Sequence, residues 1–101
     1  MRILLDLDDT VLINGQLHER FIEFKEWVRR GAHNVTVWSS HEDGAAIASL
    51  MGFYYLHKDA SKIPEADVLI DDRGRQFDAL CVVVRIYDSL DSFLYEWAQK
   101  M

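Results

Sequence analysis

Three short apolar runs in this chain each stop on a carboxylate or hydroxyl residue. Arg2-Ile3-Leu4-Leu5 runs into Asp6-Leu7-Asp8-Asp9-Thr10, Val35-Thr36-Val37-Trp38 into Ser39, and Val68-Leu69-Ile70 into Asp71-Asp72. Apolar runs without alternation are how strands buried on both faces read, which points to a parallel sheet. Phe53-Tyr54-Tyr55-Leu56 and Cys81-Val82-Val83-Val84-Arg85-Ile86 supply two further strands. Between them the apolar period changes to that of a helix. Leu17, Phe21, Phe24 and Val28 share one face with Glu19, Glu23, Lys25 and Glu26 between them, and Gly31 is the expected stop. Ser40-His41-Glu42-Asp43 reads as a capping box opening a helix that runs to Gly52. A short helix is expected over Gln76–Leu80. The last helix is expected to be capped near Asp88 or Ser89 and to carry Leu90, Phe93, Leu94, Trp97 and Met101 on its apolar side. Asn14-Gly15 is a turn signal.

Strands alternating with helices predict an α/β fold: a three-layer sandwich around a central parallel five-stranded sheet, with residues 1–101 as one domain. There is no internal repeat and no interdomain linker. Sheets of this kind bind ligands outside the carboxyl ends of their strands. Asp6, Ser39 and Asp71 all stand at those ends, so the fold itself is expected to gather them.

The charge pattern agrees. The chain has 11 basic and 17 acidic residues, a net charge of −6. Five of the acids are Asp6, Asp8, Asp9, Asp71 and Asp72; setting them aside leaves 12 acids against 11 bases. The acidity is local. It argues against a broad nucleic-acid footprint, leaving nucleic acid only as a phosphorylated strand end, and it suits a hard divalent cation. No apolar run approaches the roughly 20 residues of a membrane span, and the opening Met1-Arg2-Ile3-Leu4-Leu5-Asp6 does not read as a signal peptide. A single cysteine, Cys81, cannot form an internal disulfide, so a cytoplasmic setting is expected.

Asp6 and Asp8 lie two apart on an extended segment and should face the same side. A carboxylate beside a divalent cation can attack phosphorus, because the cation offsets the repulsion between two anions. A second carboxyl can protonate the leaving oxygen and then activate water. Ser39, with Ser40 beside it, offers a hydroxyl near a helix N-terminus for phosphoryl oxygens. The polar connection from His57 to Glu65 carries Lys58 and Lys62, either of which could offset charge on the transferring group. Asp71 and Asp72 would complete the oxygen shell of Mg²⁺. No Cys/His spacing suits zinc.

With these elements in this order, the chain resembles the haloacid dehalogenase superfamily of phosphohydrolases. Leu4-Leu5-Asp6-Leu7-Asp8-Asp9-Thr10-Val11 is similar to that superfamily's DxDx[TV] signature, Val35–Ser39 to its second motif, and Val68–Asp72 to its fourth. Residues 62–73 are also similar to the corresponding region of 5′(3′)-deoxyribonucleotidases. The resemblance implies a Rossmann-like core without a cap domain. It implies Asp6 as the nucleophile that becomes an aspartyl-phosphate, and Asp8 as the general acid/base with its main-chain carbonyl on Mg²⁺. Ser39 becomes the phosphate-binding hydroxyl. Lys62 is preferred to Lys58 as the catalytic lysine by its spacing to the paired acids. Asp6, Asp8, Asp71 and Asp72 form the metal set, with Asp72 ligating directly and Asp71 acting through water or by orienting the lysine. The expected substrate is a phosphorylated small molecule or nucleotide, and a homo-oligomer could supply a missing lid. A non-catalytic phosphate- or metal-binding regulatory module is the competing reading. Outside these motifs the plainer reading of each residue prevails: His41 as a first-turn helix residue, Trp27, Trp38 and Trp97 as core, Arg73 as a salt-bridge partner and Cys81 as a small buried hydrophobe.

Overall fold

The computed structural model describes residues 1–59, 64–74 and 85–98. Strand β1 (Arg2–Leu5) leads into a small hairpin, β2 (Leu12–Ile13) and β3 (Gln16–Leu17), and then into helix α1 (Phe21–Gly31). The chain continues through β4 (Asn34–Ser39), α2 (Gly44–Met51), β5 (Tyr54–His57), β6 (Val68–Ile70), β7 (Arg85–Tyr87) and α3 (Leu90–Trp97). Five strands form one all-parallel sheet in the order β5-β4-β1-β6-β7.

Residues of alternating parity divide the sheet into two faces. Ile3, Leu5, Val35, Val37, Val68 and Ile70 pack in one core with Phe21, Phe24, Trp27 and Val28 of α1, Ala48 and Met51 of α2, and Leu90, Phe93 and Leu94 of α3. Leu4, Trp38 and Leu69 belong to the opposite face, with Ala66 and Ile86. Both faces are apolar, which explains the unbroken apolar runs in the sequence and gives an α/β architecture compatible with a three-layer sandwich. The connection from β1 to β4 holds only the hairpin and α1, and that from β4 to β5 only α2, so neither carries an inserted cap. Trp27 and Trp38 are core residues, and Trp97 packs partly buried against the first cluster.

The chain leaves β1 in the centre, fills one side of the sheet with β4 and β5, then crosses to β6 and β7 on the other side. The sequence order therefore reverses between β1 and β6. In open α/β sheets the crevice at such a switch point is where ligands sit.

Several local expectations change. Leu17 is not on the apolar face of α1; it pairs with Leu12 in the hairpin and is 48% exposed. Asn14 and Gly15 both take left-handed backbone (φ 53 and 77), the two-residue turn whose twist matches paired strands. The turn thus claims Leu17 before the helix can. α1 also runs through Gly31, and its left-handed cap is Ala32. Gly31 is needed for another reason: the His33 ring, stacked on Trp27 at 4.2 Å, occupies the space where a Cβ at Gly31 would lie. β5 runs from Tyr54 to His57, one residue later than expected.

The capping box at Ser40 does not form. α2 begins at Gly44 with Asp43 as N-cap and no side-chain cap bond. Instead Ser39 Oγ accepts the His41 N–H and His41 Nδ1 accepts the Asp43 N–H, each at 3.0 Å. These local side-chain bonds hold residues 39–43 in turns and delay the helix. The Ser89 cap of α3 is as expected, its hydroxyl accepting the Ser92 N–H at 3.0 Å. Lys62, the short helix over Gln76–Leu80, residues 81–84 of the fifth strand and Met101 lie outside the described residues.

Candidate active site

Four neighbouring strands, β5, β4, β1 and β6, each deliver one polar residue as they end: Lys58, Ser39, Asp6 and Asp71. Parallel register fixes this. Leu5 pairs with Ile70, and Asp6 N–H donates to the Ile70 carbonyl at 2.9 Å, so Asp6 and Asp71 emerge side by side. Ser39 pairs with His57, and the Lys58 N–H donates to the Ser39 carbonyl at 3.0 Å, which sets Lys58 at the same edge.

Adjacent strands are about 4.8 Å apart, so two carboxylates on neighbouring strand ends repel strongly unless a cation lies between them. Lys58 supplies it. Its Nζ is 2.6 Å from Asp71 Oδ2 and 3.1 Å from Asp6 Oδ1, and 4.9 Å from the centroid of the buried Trp38 ring. Asp6 and Asp71 are 7% and 1% exposed. Burial, and then the charge of Asp71, push the Asp6 carboxyl up from 3.8 to about 7, with Lys58 only partly opposing them. Burial works against the charge of Lys58, but its bonds to Asp71 and the field of Asp6 outweigh it, so the ammonium is held above its ordinary range. Asp72 is raised as well, by desolvation and by the neighbouring Asp71.

Thr10 ties the two acidic loops together. Its buried hydroxyl donates to Asp6 Oδ2 at 3.4 Å and accepts the Asp72 N–H at 3.1 Å. The other oxygen of Asp71 accepts the Arg73 N–H at 2.9 Å, an Asx-turn that fixes the bend after β6. Asp9, at φ 63, makes the turn after β1 and donates its N–H to the Leu12 carbonyl at 2.9 Å. Leu7 points into the core while Asp6 and Asp8 both line the cleft, as expected for residues two apart.

The cleft holds about 550 Å³ and is lined by Asp6, Asp8, Asp9, Asp71 and Asp72 against Lys58 and Arg73, with Ser39, Ser40 and the hairpin tip Asn14-Gly15 at its sides. All the expected site residues that are described therefore meet in one place. Their roles divide by geometry. Asp6, Asp71 and Asp72 each offer an oxygen, all within 4.8 Å of one another, an oxygen-only set suited to a hard divalent cation. The Asp8 carboxylate stays outside that group, two-thirds exposed, with Oδ1 3.9 Å from His41 Nε2. Ser39 is buried, accepts from His41, and has its carbonyl held by the Tyr55 hydroxyl at 3.0 Å. With α2 starting only at Gly44, the helix end lies several residues beyond Ser39 rather than next to it.

Among the described residues Lys58 is the lysine at the site, whereas sequence spacing to Asp71 favoured Lys62. The signal for Lys58 is its place just beyond the apolar run Phe53–Leu56, the same strand-end rule that located the acids. The two-loop tie through Thr10 and the Asn14-Gly15 wall had no sequence signal beyond their turn chemistry. No protein-family model, curated protein or solved structure matches the chain.

Proposed function

We propose that the chain is an Mg²⁺-dependent phosphomonoester hydrolase of the haloacid dehalogenase type, working through an aspartyl-phosphate on Asp6. The observation that carries the reading is the Asp6–Lys58–Asp71 ion-paired cluster at the switch point, with Asp8 and Ser39 lining the same cleft. Five acids against two bases would repel a phosphate, so an anionic substrate needs a bound cation to enter. The carboxylate set fits one: Asp6 and Asp72 would hold it, with the Asp8 main-chain carbonyl. Asp71, with one oxygen on Lys58 and the other on the Arg73 N–H, orients the lysine. Mg²⁺ would supply charge neutralisation at the phosphoryl oxygens.

The chain's own residues account for the remaining steps. An Asp6 carboxylate oxygen attacks phosphorus. The ester P–O bond breaks, and Asp8 gives its proton to the departing oxygen. Asp8 then takes a proton from water, whose oxygen attacks phosphorus and releases inorganic phosphate and the Asp6 carboxylate. Lys58 and the Ser39 hydroxyl steady the charge on the transferring group. The open cleft suits an exposed phosphomonoester on a small molecule or nucleotide, or a phosphorylated nucleic-acid end, and the single Cys81 fits a reducing cytoplasm. Among the described residues no helix is long and apolar enough to cross a membrane.

The same openness favours a second reading, a module that binds metal and phosphate without turnover. Assays with Mg²⁺ or chelator on an aryl phosphate, nucleotides, sugar phosphates, phosphopeptides and end-phosphorylated oligonucleotides separate the two. Release of phosphate that needs Mg²⁺ and vanishes in Asp6→Asn supports the enzyme. Binding of Mg²⁺ and phosphate with no release from any substrate supports the module.

A further inference from the structure

His41 is more tightly held than a loop histidine needs to be. Its main-chain N–H is bonded to Ser39 Oγ, its carbonyl accepts the Gly44 N–H, and its ring Nδ1 accepts the Asp43 N–H, each at 3.0 Å. A ring nitrogen that accepts carries no hydrogen, so the neutral imidazole bears its proton on Nε2. That N–H is on the nitrogen 3.9 Å from Asp8 Oδ1. Asp8 is itself on a turn with its carboxylate 66% exposed, and among the described residues no other cationic or imidazole side chain comes within ion-pair distance of it. Left alone, such a side chain samples several staggered rotamers.

We infer that His41 is a positioning residue for Asp8: its Nε2–H directs the carboxyl toward the cleft, where the leaving oxygen must be protonated. The inference rests on the phosphohydrolase reading above. A gap of 3.9 Å closes with a small rotation of either side chain, and bonds of this kind are commonly long before substrate binds. The clamp on the Ser39 loop would then serve two ends at once, since the same residue that occupies the Ser39 hydroxyl with its main chain reaches Asp8 with its ring.

Two substitutions separate the ring's two nitrogens. His41→Asn keeps an acceptor near Nδ1 for the Asp43 N–H and lacks the Nε2 donor; His41→Gln places an amide N–H near Nε2. Both are assayed with Mg²⁺ on an alkyl phosphate, whose leaving oxygen needs a proton, and on a nitrophenyl phosphate, whose leaving phenolate hardly does. In His41→Asn, kcat/KM on the alkyl phosphate, which reports only the steps through departure of the leaving group, is expected to fall about tenfold or more while kcat/KM on the aryl phosphate falls less than about threefold. His41→Gln should recover most of the loss. The reverse pattern, with Asn active and Gln impaired, or equal losses of kcat/KM on both substrates, would mean that the ring only braces its loop and would overturn the inference. Ring ¹⁵N shifts of His41 in the metal-free protein give a readout independent of turnover. The Nε2-protonated tautomer supports the inference and the Nδ1-protonated one overturns it alone, whereas wild-type protein that releases no phosphate from these two substrates or any of the panel above overturns the hydrolase reading and this inference with it.

Discussion

Replacing Asp6 with Asn should stabilise the metal-free protein, and the gain should grow with pH. Asp6 is 7% exposed, and its carboxyl titrates at about 7 in the folded chain against 3.8 ordinarily, raised by burial and then by Asp71. Between those values the folded protein keeps a proton that the unfolded chain has released. Stability contributed by this group is therefore complete below the lower value and is lost as pH rises toward the upper one. A gap of roughly three units at 1.36 kcal/mol each corresponds to about 4 kcal/mol by pH 8. Asn imitates the protonated carboxyl without its charge, leaving Lys58 its 2.6 Å partner Asp71. Allowing for an imperfectly bonded amide, the variant should gain about 2–4 kcal/mol near pH 8 and almost nothing near pH 4. For a domain of this size that is a Tm rise of roughly 10 °C or more. Paired thermal and urea melts in chelator across this range measure it, and the difference between the two proteins cancels the titration of acids remote from the site. Adding Mg²⁺ should raise the wild-type Tm most at high pH and the variant's much less, because the ion relieves the repulsion that the substitution removes. A variant less stable than wild type at pH 8, or a difference that does not change with pH, would refute the reasoning.

Other substitutions test the same architecture. Lys58→Met removes the ammonium between two buried carboxylates and should cost about 3–5 kcal/mol at neutral pH in urea melts and, on the proposed hydrolase reading, abolish phosphate release; on the same reading Lys62→Met leaves phosphate release nearly unchanged. Gly44→Ala would put a Cβ 2.5 Å from the Tyr55 ring, whose hydroxyl holds the Ser39 carbonyl. It should lower stability by about 1–3 kcal/mol, and Tyr55→Leu in the same chain should recover part of that. Gly15→Ala meets no neighbour but must keep φ 77, so a loss of about 1 kcal/mol in the same melts is expected from backbone strain alone.

Much of this molecule could be read from its residues in order. Unbroken apolar runs reported strands covered on both faces, and the polar residue closing each run marked where the sheet would present its chemistry. Asp6, Asp8, Ser39, Asp71 and Asp72 were identified from that rule, because strand ends are local features encoded by neighbouring side chains. The parallel five-stranded sheet and, apart from Leu17, the apolar stripes of α1 and α3 followed from the same periodicities.

Register and the competition between local signals were decided only in three dimensions. Spacing along the chain to Asp71 favours Lys62; pairing of Ser39 with His57 across β4 and β5 is what carries Lys58 to the two buried acids. Leu17 fits a helical stripe until the Asn14-Gly15 turn folds it back onto Leu12. Ser40 matches a capping pattern until Ser39 and His41 take the backbone donors of that segment. The raised Asp6 carboxyl is likewise a property of the fold, since it needs burial of the strand end and then Asp71, 65 residues away in sequence, to stand beside it. Local sequence specifies which conformations are cheap at each position; choosing among them takes contacts between distant strands, whose energies exist only once the sheet has formed.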